Sequence, residues 1–167
     1  MADKSLEDII IRRASQDDIE QVNSLWVDLD HALDDTANWA YNEEINSVIR
    51  HKKRNGHKCY LYVVQAGDSI VSTATLEVYR EYRFFGKKIG YGNDFVTNDK
   101  ERGKGIGSRL IWQMGQEALK MGCEILKLTC RKERVHLYER FGFQIVSFEG
   151  GFYGMSLDVG LLVPKNY

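Results

Sequence analysis

Asp94-Phe95-Val96-Thr97-Asn98-Asp99-Lys100-Glu101-Arg102-Gly103-Lys104-Gly105-Ile106-Gly107-Ser108 decides the fold. Apolar residues lead into a polar link, the link into alternating glycines, and the glycines into an amphipathic run. That order predicts strand, turn and helix. Leu110, Ile111, Met114, Ala118 and Leu119 mark the inner face of a helix running to about Met121, and Gly122 stands where a left-handed C-terminal cap belongs. Ile125-Leu126-Lys127-Leu128-Thr129 then reads as a short strand, so the unit predicts a right-handed crossover between parallel strands.

The turn itself has chemistry. Glycines let the backbone approach a ligand closely, and the N–H groups and dipole at a helix start favour a phosphate. Arg102 and Lys104 add positive charge at the same end. A glycine-rich helix start with no ligand is the other reading. Two familiar phosphate loops are excluded. No Gly-x4-Gly-Lys-Ser/Thr run exists, and the dinucleotide pattern needs a glycine where Ser108 stands.

Upstream, Ile9-Ile10-Ile11 predicts a buried first strand, and Ser15 before Asp17-Asp18 a helix start. Ile19, Val22, Leu25, Trp26 and Leu29 then recur at helical spacing. A second helix is expected from about Tyr41 to Arg54, ended by Asn55-Gly56. Tyr60–Val64 and Ile70–Leu76 predict strands around an Ala66-Gly67-Asp68 hairpin, and Phe85-Gly86-Lys87-Lys88 a turn into the strand Ile89–Thr97. Downstream, a short helix near Arg134–Arg140 precedes two strands bracketing Gly150-Gly151. The order βααβββαβαββ predicts an α/β sandwich with a mixed sheet rather than a doubly wound parallel one.

Composition narrows the classes. The 167 residues suit one domain over 1–167, and 43% apolar with 28% charged residues is ordinary for a globular protein. Lys+Arg 23 against Asp+Glu 24 lacks the basic surplus of a dedicated nucleic-acid binder. No apolar run approaches the roughly 18 residues of a membrane span. Cys59, Cys123 and Cys130 are odd in number and share no CxxC spacing, which predicts buried reduced thiols. His51, His57 and His136 show no metal-ligand spacing, so no metal is expected. The expectation is a cytoplasmic protein with no nucleic-acid or membrane partner.

Arg102, Gly105 and Gly107 fit the pattern Arg/Gln-x-x-Gly-x-Gly/Ala, and Tyr138-Glu139-Arg140-Phe141-Gly142-Phe143 resembles a late Tyr-Glu-x-x-Gly-Phe signature. With the strand ending Phe95-Val96-Thr97 just before the turn, and the opening Ile11-Arg12-Arg13-Ala14, the chain resembles the GNAT superfamily of acyl-CoA-dependent N-acyltransferases over about residues 9 to 158. The resemblance implies a mixed, mostly antiparallel sheet of about seven strands with four helices and a splayed central parallel pair. It implies acetyl-CoA as the acyl-donor cosubstrate and a homodimer. The turn amides from Arg102, Gly103, Lys104, Gly105, Ile106, Gly107 and Ser108 are then expected at the pyrophosphate. The strand groups of Phe95, Val96 and Thr97 are expected along the pantetheine arm, which can pair like a strand.

Acyl transfer needs a placed amine, a stabilised oxyanion and a protonated leaving thiolate. Tyr138 matches the family tyrosine that protonates the coenzyme A sulfur; packing beside Phe141 and Phe143 is its other reading. Many members carry a glutamate on the strand where Asn93 stands here, so Asp94 and Glu77 become the candidate bases. For the acceptor, Trp26, Asp30, Asp34 and Asn93 are singled out: acidic groups among aromatics suit an ammonium. A solvated helix end is the plainer reading of those aspartates, and also of Lys52-Lys53-Arg54. The function expected is acetyl transfer to a primary amine of a small molecule, namely an amine, amino acid or amino sugar. Protein N-terminal or lysine acetylation and a non-catalytic acyl-CoA sensor are the alternatives.

Overall fold

The computed structural model describes residues 9–32, 42–54, 56–82 and 85–162, without the side chains of 29–32 and 42. Strands are β1 (Ile9–Arg13), β2 (Lys53–Arg54), β3 (His57–Ala66), β4 (Ser69–Glu81), β5 (Lys87–Thr97), β6 (Ile125–Arg131), β7 (Gln144–Glu149) and β8 (Phe152–Asp158). Helices are α1 (Ile19–Ala32), α2 (Asn42–His51), α3 (Ile106–Lys120) and α4 (Val135–Glu139). The strands order as β1-β3-β4-β5-β6-β8-β7, with β2 added beside β3. β5 and β6 run parallel over Ile89–Gly92 and Ile125–Leu128, and the register ends there although β5 continues to Thr97. β1 with β3, β6 with β8, and β7 with β8 are antiparallel. The expected mixed sheet and four helices are therefore present.

Three local expectations are corrected. β1 is an edge strand rather than a buried one, with Ile10 57% exposed, because it has a neighbour on one side. Leu119 is 48% exposed and leaves the inner face of α3 to Leu110, Ile111, Met114 and Ala118. The last two strands bracket Gly150-Gly151 as expected, with β8 against β6 and β7 at the edge. Most consequential, α2 stops at His51 instead of reaching Arg54. Lys52 takes a left-handed φ of 51°, and Lys53 and Arg54 pair with Lys58 and His57. Gly122, at φ 74°, caps α3 as expected.

The described residues form two compact units. The first comprises residues up to Thr75 together with Asp94–Leu110; the second comprises Leu76–Asn93 and the residues from Ile111 on. In the first, Val22, Leu25 and Trp26 of α1 and Ile45 and Val48 of α2 pack on Cys59, Leu61 and Val63, the alternate residues of one β3 face. Each large aliphatic side chain so buried contributes about 1.5–3 kcal/mol. Its start is anchored by Asp18, whose carboxylate accepts from Arg12 at 2.7 and 2.8 Å and from the Ser15 N–H at 2.7 Å. In the second unit, α3 lies so close to β5 that a Cβ on Gly90 would meet Leu126, Leu76 and Ala118 at 3.1–3.4 Å. Cys59, Cys123 and Cys130 are buried free thiols, as the sequence predicts.

Candidate active site

The glycine turn joins the end of β5 to α3. Gly103 and Gly105 have φ of 80° and 79°, a conformation that L side chains rarely adopt, and a Cβ on either would meet no atom within 4 Å. The backbone there is thus both permissive and open. Arg109 N–H bonds back to the turn at Gly105 O, 3.0 Å, and the amides of Ile106 and Gly107, at the start of α3, are among the donors that a helix start leaves without an intrahelical partner. Gly107 packs differently, with a Cβ position 3.5 Å from Thr97 Oγ1.

The cationic side chains of the turn are committed. Arg102 donates to Thr97 O at 3.1 Å and pairs with Asp99 at 2.7 Å, while Lys104 pairs with Glu101 at 3.0 Å. With Lys100 and Arg109 alongside, the stretch from Asp99 to Arg109 has more cations than carboxylates, and backbone amides and the helix dipole add to the attraction for an anion. Arg102 and Lys104 thus bring the expected positive charge to this end, each beside a carboxylate. Ser72 Oγ donates to Val96 O at 2.7 Å and lies 2.9 Å from Thr97 Oγ1, tying the last residues of β5 to β4. Phe95 and Ser108 are half-buried and Val96 is buried.

Just before these residues β5 contains a kink. Asp94 has φ 53°, unusual for a residue with a side chain inside a strand. Its Oδ2 accepts from Arg54 Nη1 at 2.5 Å and from Thr75 Oγ1 at 2.6 Å. Arg54 also pairs through Nη2 with Glu44 Oε1 at 2.9 Å, and its guanidinium carbon lies 6.0 Å from the Trp26 ring centre. Burial opposes the charge on Arg54, but Asp94 and Glu44 outweigh it and hold the guanidinium above its ordinary pKa. Arg54 is therefore no solvated helix end. Its importance escapes a reading of Lys52-Lys53-Arg54 as a basic tail, because the pairing of Arg54 with His57 is made only in the folded sheet.

The remaining candidates are distributed as follows. Tyr138 sits on the five-residue α4, 6% exposed, with its ring edge-on to Phe143 at 5.9 Å. Burial, then nearby Cys130, pushes its phenol well above the ordinary value, so it stays protonated. Asn93 Nδ2 donates to the buried Glu77 at 3.3 Å. Trp26 is 4% exposed and packs in the core, on the apolar helix face where the sequence spacing also puts it. The backbone of Asp30 is on α1, while its side chain and the whole of Asp34 lie outside the described residues.

The model of the acetyltransferase (GNAT) family matches residues 23–143, spanning the kink, the turn and the Tyr138 segment. The chain belongs to the acetyltransferase (GNAT) family. As a GNAT protein it is an N-acetyltransferase by family. It is 25% identical over 101 residues to glucosamine 6-phosphate N-acetyltransferase of Trypanosoma brucei brucei, covering 60% of this chain and 69% of that one. To the probable glucosamine 6-phosphate N-acetyltransferase 2 of Oryza sativa subsp. japonica it is 32% identical over 74 residues, 44% of this chain and 45% of the rice protein. The GNAT fold is also that of a predicted acetyltransferase from Clostridium acetobutylicum crystallised with acetyl-CoA. The TM-score is 0.68 at 20% identity, over 83% of this chain and 92% of that one. No described helix is long and apolar enough to cross a membrane.

Proposed function

We propose that this protein transfers the acetyl group of acetyl-CoA directly to the primary amine of a small molecule, with an amino sugar as the favoured acceptor. The open glycine turn at the start of α3 carries the reading of the donor: Gly103 and Gly105 adopt positive φ with clear space over Cα. A pyrophosphate suits such a site, because it asks for close backbone approach and N–H donors rather than side-chain cations. Arg102 to Ser108 would hold that group through their main chain, and Phe95, Val96 and Thr97 would align the amide-rich arm. The amino-sugar acceptor is supported by the names of the Trypanosoma and rice relatives. A cytoplasmic location and a homodimer belong to the same proposal.

In the reaction the amine nitrogen attacks the thioester carbon, the carbon–sulfur bond breaks, and the thiolate takes up a proton. Tyr138 is the proposed donor of that proton; its buried phenol remains protonated at neutral pH and has an O–H to give. The surplus proton of the amine passes to a carboxylate, for which Asp94 is the proposed acceptor. The test is acetyl-CoA turnover by the purified protein against amino sugars and their phosphates, amino acids, polyamines and peptides. Turnover restricted to peptides overturns the small-molecule acceptor; donor binding without turnover on any amine favours the sensor.

A further inference from the structure

We propose that Arg54 is a positioning residue, holding the β5 kink at Asp94 in the shape that presents Phe95, Val96 and Thr97 to the acyl donor. The inference rests on the donor placement proposed above and extends it to a residue that touches no reactant. Three non-glycine residues among those described have positive φ: Lys52, Phe85 and Asp94. Phe85 lies in the turn between β4 and β5, where such backbone is ordinary. The other two flank a single ion pair. Lys52 ends α2, its N–H bonding Val48 O and its carbonyl accepting from Cys59, and this reversal delivers Arg54 to strand β2. Asp94 is the residue Arg54 then grips.

The left-handed conformation is unfavourable for a residue bearing a Cβ, and such strain persists only where surroundings over-determine it. Here two donors converge on one carboxylate oxygen: a guanidinium and the Thr75 hydroxyl. Charge-assisted bonds of this kind are the strong ones. Arg54 is itself fixed by Glu44 from α2 and by its place on β2, so it cannot follow Asp94 if the strand relaxes. Relaxation at residue 94 would turn every peptide after it, beginning with Phe95. The rest of the link is tied by Ser72 to Val96 O and by Arg102 to Thr97 O. A glycine at position 94 would adopt the same φ without help; aspartate, though more tolerant than most side chains, pays a cost that the clamp offsets.

Calorimetric titration of the full chain with coenzyme A tests this, using Arg54→Met, Arg54→Lys, Asp94→Gly and the double variant Arg54→Met/Asp94→Gly. Arg54→Met should weaken coenzyme A binding about tenfold by loss of preorganisation, with Arg54→Lys between it and wild type. Asp94→Gly should bind within about threefold of wild type, since glycine reaches positive φ freely. The decisive comparison is the double variant, where removing Arg54 should cost no further affinity. An Arg54→Met variant that binds as wild type overturns the proposal. So does an equal loss in both backgrounds, which would make Arg54 a stabilising residue that does not act through the kink. If Arg54→Met fails to fold, Arg54→Lys measured with and without Asp94→Gly gives the same comparison. Wild-type protein that fails to bind coenzyme A overturns the donor reading itself, whereas wild-type binding with insensitive Arg54 variants overturns only this one.

Discussion

The glycine turn and the Asp94 kink lie a few residues apart and both run the backbone through positive φ, but by different means. At Gly103 and Gly105 the absence of a Cβ makes that conformation accessible, and no neighbouring atom fills the space above either residue. At Asp94 the same region of backbone space is held by side chains from two other elements, Arg54 on β2 and Thr75 on β4. One device is written locally and is legible in three residues. The other is distributed over Lys52, Arg54, Glu44, Thr75 and Asp94, and exists only when the chain has folded. A turn built from glycine tolerates changes around it but not in it. A kink built from an ion pair has the opposite sensitivity.

The largest effect should come from a residue outside both regions. Tyr138→Phe keeps the ring against Phe143 and removes the phenol, and positioned proton transfer is worth roughly 10²–10⁴-fold. The loss should fall on kcat with coenzyme A affinity unchanged; a variant within about threefold of wild type would show that another group protonates the thiolate. Because burial raises the phenol's pKa, the wild-type rate should hold at pH values up to the ordinary tyrosine range near 10, and a decline with an apparent pKa below that range would speak against Tyr138.

Next in size is the turn. Gly105→Val places a β-branched residue at φ 79° and should weaken coenzyme A binding at least tenfold while costing on the order of 1–2 kcal/mol in stability. Equal affinity by calorimetry would remove the turn from donor binding and collapse its pairing with the kink.

Arg12→Met probes a second ion pair that is close in chemistry to Arg54–Asp94 but anchors only the start of α1. It should lower unfolding free energy by about 1–3 kcal/mol at neutral pH, read by urea denaturation, and leave coenzyme A affinity alone. The pH dependence has a definite sign. Asp18 titrates below the ordinary carboxylate range, chiefly through its bond to Arg12, so the folded pKa is lower than the unfolded one. Its stabilisation is complete above the unfolded value near 4 and is lost as pH falls through the folded value. The gap between wild type and Arg12→Met should therefore narrow in acid.

The smallest effect is expected from Lys104→Ala. An exposed pair with Glu101 is worth about 0–1 kcal/mol, and removing it should change coenzyme A affinity less than about threefold. A large, salt-dependent loss would show that Lys104 leaves Glu101 for the phosphate, making the turn as dependent on side chains as the kink.

The amino-acid sequence by itself determined the elements whose information is local. The hairpin at Gly67, the cap at Gly122, the glycine turn and the helical faces of α1 and α3 follow from spacing and from glycines where φ must be positive. The parallel pairing of β5 and β6 follows as well, since a helix between two strands has one favoured hand. Folding alone settled that β8 separates β6 from β7 and that Arg54 meets Asp94 across 40 residues of chain. The physical reason is range. Backbone preference acts over a few residues, whereas burial and charge pairing depend on neighbours that folding alone assembles. Lys53-Arg54 shows the boundary between the two: its sequence reads as a helix end, and pairing with Lys58 and His57 makes it a strand.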